Sequence, residues 1–249
     1  MVFRLLFFFG IAILFGSCKK PSDRSCYKMT GDNINKIIPL GNFTKIILGP
    51  YIQYELIQDT INFIEISAGE NIINFISSDI EEGKLVIENN NKCRFLRYKK
   101  EKVIAKIHFT TLNSIFYHGS EPLISKDTLD FIATTLTLDA NETSGSINLK
   151  LKAKTIYLNN SNGTPDIELS GSCDFFKISI TANGTFSAKN LFVKDSINLH
   201  YASSLYSELQ STNCKLKAEL SGVGNVGYFG VPSLILTNYY NSGRLIDKN

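Results

Sequence analysis

Residues 143–169 read TSGSINLKLKAKTIYLNNSNGTPDIEL and hold one full period of the chain. Thr143-Ser144-Gly145-Ser146 is a small polar cluster running into the apolar Ile147. A strand-like stretch follows and ends in Ile156-Tyr157-Leu158; Asn160-Ser161-Asn162-Gly163 then leads to Ile167. Gly, Asn and Ser supply the positive φ and the local side-chain hydrogen bonds of tight turns. Between them, runs rich in Ile, Leu and Thr read as strands.

The pattern recurs downstream. Further clusters centre on Asn183-Gly184, Ser203-Ser204, Gly222-Val223-Gly224 and Ser242-Gly243. The apolar positions that follow the clusters, Ile147, Ile167, Phe186, Tyr206, Val226 and Leu245, step by 20, 19, 20, 20 and 19 residues. A second strand signal lies between them: Leu136-Thr137-Leu138, Ile156-Tyr157-Leu158, Ile178-Ser179-Ile180, Ile197-Asn198-Leu199, Leu216 to Leu220, and Leu234-Ile235-Leu236. Two strands in about 20 residues at constant period make a solenoid rung, with successive rungs paired in parallel at about 4.8 Å. An antiparallel sandwich also places strands every 8 to 12 residues. Corner chemistry that repeats at every second turn favours the solenoid.

The expected fold is therefore all-β: a parallel β-helix-like solenoid with about 20 residues per rung over residues 112–249, right-handed as parallel crossovers are. Residues 31–111 carry strand signals without the repeat, among them Thr44-Lys45-Ile46-Ile47-Leu48, Lys84-Leu85-Val86-Ile87 and Val103 to Phe109. No helical periodicity stands out from Gly31 onward. Cys173 and Cys214 are 41 residues apart, two rungs at nearly the same phase. That puts their backbones about 9 to 10 Å apart, beyond disulfide reach.

Residues 1–17 read as an export signal. Arg4 precedes an apolar run from Leu5 to Phe15, too short for a bilayer that needs about 20 residues. The run ends in Leu14-Phe15-Gly16-Ser17-Cys18, which resembles the bacterial lipobox. That resemblance implies cleavage before Cys18 and acylation, palmitate included, of the cysteine, with residues 18–30 as a polar tether. Two or three acyl chains anchor firmly where one binds reversibly. The membrane is thus an expected partner, and the outer membrane of the cell envelope the expected location.

The 249 residues are 43% hydrophobic and carry 26 Lys and Arg against 23 Asp and Glu. Such composition suits a folded protein, and a formal charge of +3 is too small for general nucleic-acid binding. Beyond Cys18, the cysteines Cys26, Cys93, Cys173 and Cys214 show no zinc spacing. Gly222-Val223-Gly224-Asn225-Val226-Gly227 matches a dinucleotide-binding pattern, but Tyr228-Phe229-Gly230-Val231-Pro232 after it does not open a helix. It reads as a turn, and no cofactor is expected. His108, His118 and His200 are scattered, and no nucleophile or paired-carboxylate motif accompanies them. Two features suit ligand binding. Lys92, Arg94, Arg97, Lys99, Lys100, Lys102 and Lys106 form a basic cluster fit for acidic glycans or lipid heads, or simply a solvated hairpin end. Tyr117, Tyr201, Tyr206, Tyr239 and Tyr240 near the corners suit stacking on sugar rings, or wedging between rungs.

Several of these segments resemble the head GIN domain, an auto-transporter adhesin domain of Bacteroidetes lipoproteins. Gly41-Asn42-Phe43-Thr44-Lys45-Ile46 resembles its opening strand, and Lys84 to Ile87 its G-x-L-x-I strand. Leu220 to Pro232 is similar to its closing L-x-G-x-G-x-V-x-Y-x-G-x-P segment. The resemblance spans about Leu40 to Ile246 and implies a β-helix-like body at the cell envelope, with no catalytic residue to carry over. Asn162, Asn183 and Ser204 stand where the family has glycine, as residues tolerant of left-handed turns. The function expected is a lipid-anchored adhesion module for glycan or extracellular matrix protein, not an enzyme. The rivals are a carbohydrate-active enzyme on a β-helix, by analogy of fold alone, and a structural envelope protein.

Overall fold

The computed structural model describes residues 29–92, 94 and 102–249. In chain order its strands are β1 (Asn33–Pro39), β2 (Lys45–Leu48), β3 (Gln53–Gln58), β4 (Phe63–Gly69), β5 (Ile76–Glu81), β6 (Lys84–Asn89), β7 (Ile104–Phe109), β8 (Ser114–Tyr117) and β9 (Leu123–Ile124). They continue with β10 (Leu129–Asp139), β11 (Ser146–Asn160), β12 (Asp166–Ile180), β13 (Thr185–Tyr201), β14 (Ser207–Gln210), β15 (Lys215–Leu220), β16 (Val226–Phe229), β17 (Leu234–Tyr239) and β18 (Leu245–Asp247).

Along β11, exposed and buried side chains alternate from Ser146 to Lys154. Thr155 and Ile156 are then buried in succession before alternation resumes. Strand side chains change face at every residue, so two inward neighbours mark a bend where the strand turns a corner of the wall. β11, β12 and β13 pair in parallel, as the repeat predicts, and the all-β solenoid is borne out. β13 has 17 residues against 15 in β12, and the two extra sit at register shifts opposite Glu168/Ser170 and Cys173/Phe175. Each shift is a bulge that re-aims the strand while keeping the rung closed.

Inward residues stack into ladders. One runs Leu136, Ile156, Phe176, Ile197, Leu216, Ile235; another runs Leu138, Leu158, Ile178, Leu199, Ala218. Full burial of each large member stabilises by about 1.5–3 kcal/mol. The second strand signals all fall within strands, and the first ladder takes Phe176 and Ile235 as its members in β12 and β17. A corner ladder runs Ile147, Ile167, Phe186, Ser207, Val226, Leu245, with Ser207 where an apolar Tyr206 is expected. The reason is Tyr201, whose buried ring packs edge-on against Phe186 with centroids 6.0 Å apart. Its hydroxyl bonds to Ser207 Oγ and donates to Leu205 O, both at 2.9 Å. A hydroxyl at position 207 satisfies this buried phenol, and an apolar residue would not. Tyr117 is buried in the same way and donates to the carbonyl of Glu121.

Asn162, Asn183 and Ser204 are not among the described residues of positive φ, so the left-handed turns expected there do not form. Stacked side-chain bonds do the work instead. Asn141 Oδ1 accepts from Ser161 Oγ at 2.7 Å, and Asn183 Oδ1 accepts from Ser204 Oγ at 2.8 Å, each one rung on.

Parallel stacking also reaches into the N-terminal part, in an order the chain does not follow. β2 lies between β6 and β8, and β3 between β7 and β9, so the rung made first sits second in space. Antiparallel strands cover the outer side of that end: β5 on β6, β4 on β7 and β1 on β4.

Cys173 and Cys214 are buried and unpaired, as the rung phase predicts. Burial pushes the Cys173 thiol up to about 12 and raises that of Cys214 as well. Only thiolate reacts. Native protein at pH 8 is therefore expected to leave both thiols unlabelled by a disulfide reagent, and denatured protein to release both; labelling at equal rates in the two states would contradict the packing. Cys18, Cys26 and Cys93 lie outside the described residues.

Candidate binding surface

The residue between two inward neighbours on each rung faces outward, and outward residues stack as regularly as the core. Thr137, Tyr157, Lys177, Asn198, Lys217 and Leu236 form one outward ladder. Asp139, Asn159, Ser179, His200, Glu219 and Asn238 form the next. Between them runs a shallow groove of about 500 Å³, with Tyr157, Lys177, Asn198, His200, Lys217 and Glu219 in its lining. A second hollow of about 250 Å³ continues it past Lys215 to Leu234 and Leu236.

Lys177 Nζ donates to Tyr157 Oη at 2.9 Å and lies 4.7 Å from that ring's centroid. Lys217 Nζ stands 3.2 Å from Glu219 Oε1, and His200 Nδ1 stands 3.9 Å from Glu219 Oε2. The groove thus offers cations, amides and an aromatic ring at rung spacing, with one carboxylate between. The lysines can donate hydrogen bonds to a repeating hydroxylated or amide-bearing chain, and the amides and carboxylate can accept them from it.

Ser179, His200 and Glu219 are neighbours on three successive rungs, the residue types of a hydrolase triad. Their geometry is not that of a relay. The His–Glu separation of 3.9 Å exceeds hydrogen-bond reach, and parallel pairing on both sides engages the strand backbone N–H groups that an oxyanion hole would need. The other two histidines serve structure. His108 Nδ1 bonds Asp59 Oδ2 at 2.9 Å and its ring stacks on Phe63, while His118 Nδ1 bonds the carbonyl of Asn141. The hydrogen bond from His108, with a further one from the Thr60 amide, holds the Asp59 carboxyl below its usual range.

The sequence candidates divide. Tyr201 is fully buried and drops out as a ligand contact, because its ring fills the corner beneath Ser207. Tyr206, Tyr239 and Tyr240 are exposed. Of the basic cluster, Lys92, Arg94 and Lys102 are described, and Arg97, Lys99 and Lys100 lie outside the described residues. Arg94 is already engaged, its guanidinium 3.4 Å over the Tyr51 ring and donating to Asn89 O at 3.3 Å. Lys106 pairs with Glu65 at 3.7 Å. Gly222 and Gly224 pack over the preceding turn, where a Cβ would stand 2.3 and 2.0 Å from the carbonyl oxygens of Ser203 and Leu205. Close stacking of rungs accounts for this Gly-x-Gly. The groove residues Tyr157, Lys177, Asn198 and Lys217 were not singled out from the sequence as a site, although their spacing of 20, 21 and 19 residues was readable there.

Residues 42–232 match the family model described as "Putative auto-transporter adhesin, head GIN domain". Among curated proteins none matches. Among solved structures, one titled a putative adhesin from Bacteroides fragilis NCTC 9343 is similar at 17% identity and a TM-score of 0.75, over 87% of this chain and 97% of that one. A putative adhesin from Parabacteroides merdae ATCC 43184 is similar at 20% identity and a TM-score of 0.65, over 89% and 98%. A putative lipid binding protein from Parabacteroides distasonis ATCC 8503 is similar at 17% identity and a TM-score of 0.68, over 88% and 98%. At these identities the likeness is one of fold.

Proposed function

Because the chain belongs to the head GIN domain family of auto-transporter adhesins, we propose that it is a lipid-anchored adhesion module which holds a glycan or an extracellular matrix protein in the groove along its outward strand face. Acylated Cys18 fixes the chain to the outer membrane and residues 19–30 serve as the tether. The observation that carries the reading is the groove itself, whose Tyr157, Lys177, Asn198 and Lys217 recur from rung to rung at about 4.8 Å. A rigid array of this kind is pre-organised for an extended polymer and keeps the ordering cost of binding low.

Arrays of glycans and matrix proteins probed with the chain from residue 25 are expected to show binding. A hydrogen bond to a charged group contributes about 1.5–3 kcal/mol, so Lys177→Ala and Lys217→Ala should each weaken that binding about tenfold or more. Blank arrays, or binding indifferent to both changes, would discard this site. Cys18→Ser should move the protein from the membrane to the soluble fraction.

A further inference from the structure

The two ends of the solenoid are finished differently. At the N-terminal end the outer strands β1 and β5 carry Lys36, Pro39, Asp79 and Glu81, the charges and proline that blunt an open sheet edge. At the other end, among the described residues, β17 pairs only with β15 and β18 only with β16. β17 reads Leu234-Ile235-Leu236-Thr237-Asn238-Tyr239, with neither charge nor proline. Its inward members end the core ladders, and no other described residue covers them: Ile235 is 39% exposed where Leu216, one rung before, is 1%, and Tyr239 is 41% exposed where Leu220 is 0%. Leu234, Leu236 and Tyr240 beside them are 45%, 53% and 70% exposed.

We propose that this edge is covered by a second copy of the chain, in a tail-to-tail dimer with β17 paired antiparallel to its mate about Thr237. Three observations select that occupant. Among the described residues the opposite end carries Lys36, Pro39, Asp79 and Glu81 on its outer strands, which disfavours head-to-tail stacking and favours a closed two-fold contact. Pairing about Thr237 sets Ile235 opposite Tyr239 of the second copy, twice, with both on the inward face, so the strand complements itself and extends the core through the contact. The area also suffices. These five side chains expose roughly 350 Å² of apolar surface per copy. At the usual apolar share of an interface that corresponds to roughly 1,200 Å² buried in all, above the roughly 1,000 Å² a specific contact needs. The described chain enters at Met29, which is hydrogen-bonded to Asn71 at the covered end. The two entry points then lie at opposite ends of the dimer.

Sedimentation of the full-length protein in detergent should give a particle of twice the chain mass. Thr237 is already exposed, so Thr237→Arg should leave the fold, read by circular dichroism, unchanged while placing like charges opposite each other and returning the particle to monomer. Thr237→Cys should form an intermolecular disulfide under mild oxidation, with the parent chain as blank, because Cα atoms directly opposite in an antiparallel pair are about 4.5–5.5 Å apart. A monomer throughout the micromolar range overturns the proposal. So does a dimer unaffected by Thr237→Arg, a dimer that the substituted cysteine does not cross-link, or an assembly larger than two.

Discussion

Gly171→Ala is expected to destabilise the protein by roughly 3–5 kcal/mol. Gly171 has φ +111, a region that side chains rarely adopt, and a Cβ there would stand 2.0 Å from Leu151 O and 3.0 Å from Leu151 C. Neither atom can retreat. Leu151 and Gly171 are register partners in the middle of two 15-residue strands, and Leu191 of the next rung pairs on the other side. Relief would have to separate rungs along their length and break ladder hydrogen bonds. Gly83 provides the control, since its φ is +72 and nothing lies within 4 Å of its Cβ position. Gly83→Ala carries backbone strain alone and should cost about 1 kcal/mol. At about 2–4 °C per kcal/mol for a chain of this size, thermal unfolding should show a fall of about 10 °C for Gly171→Ala and a few degrees for Gly83→Ala. Equal shifts would mean that rung contact adds nothing to the strain.

Phe176→Ala should cost about as much, roughly 3–5 kcal/mol, by opening a cavity between Ile156 and Ile197 in the central ladder. Its neighbour Lys177 faces outward, and Lys177→Ala should stay within about 0.5 kcal/mol. In a solenoid each rung touches only its neighbours, so the middle of the stack is where a cavity uncouples two halves. Denaturant unfolding of Phe176→Ala is accordingly expected to broaden or divide into two steps. Within the single chain, read on the Thr237→Arg monomer, Ile235→Ala removes a part-exposed member of the same ladder at its last rung and should cost only about 1 kcal/mol. A single sharp transition displaced equally by both substitutions would show that the stack unfolds as one unit whatever the position.

Periodicity holds along most of the repeat and slips at one corner position. The 20-residue step, the strands and the unpaired Cys173 and Cys214 are legible because alternation and corner residues are local properties of a strand and its turn. The slip at the corner ladder, Ser207 in place of Tyr206, has a physical cause: the count along a rung depends on its bulges and on what its neighbours bury. The extra residues of β13 shift the count, and Ser207 occupies a core ladder only because Tyr201, six residues earlier, turns its hydroxyl towards it. The candidate groove is half legible. Its residues recur with the period, but each stands alone in the sequence between apolar neighbours and looks like any solvated position. Only side-by-side stacking turns Tyr157, Lys177, Asn198 and Lys217 into one surface.

The amino-acid sequence determined by itself that this is a repeating all-β chain of about 20 residues per rung, since turn chemistry and alternation act over a few residues. Tertiary structure alone decided that β2 and β3 insert between later strands, that Tyr201 lies inside while Tyr206 lies outside, and that antiparallel strands cover the N-terminal end of the solenoid. Those outcomes depend on contacts between residues tens of positions apart, where burial, shape and hydrogen-bond satisfaction choose among pairings that local propensity leaves equal.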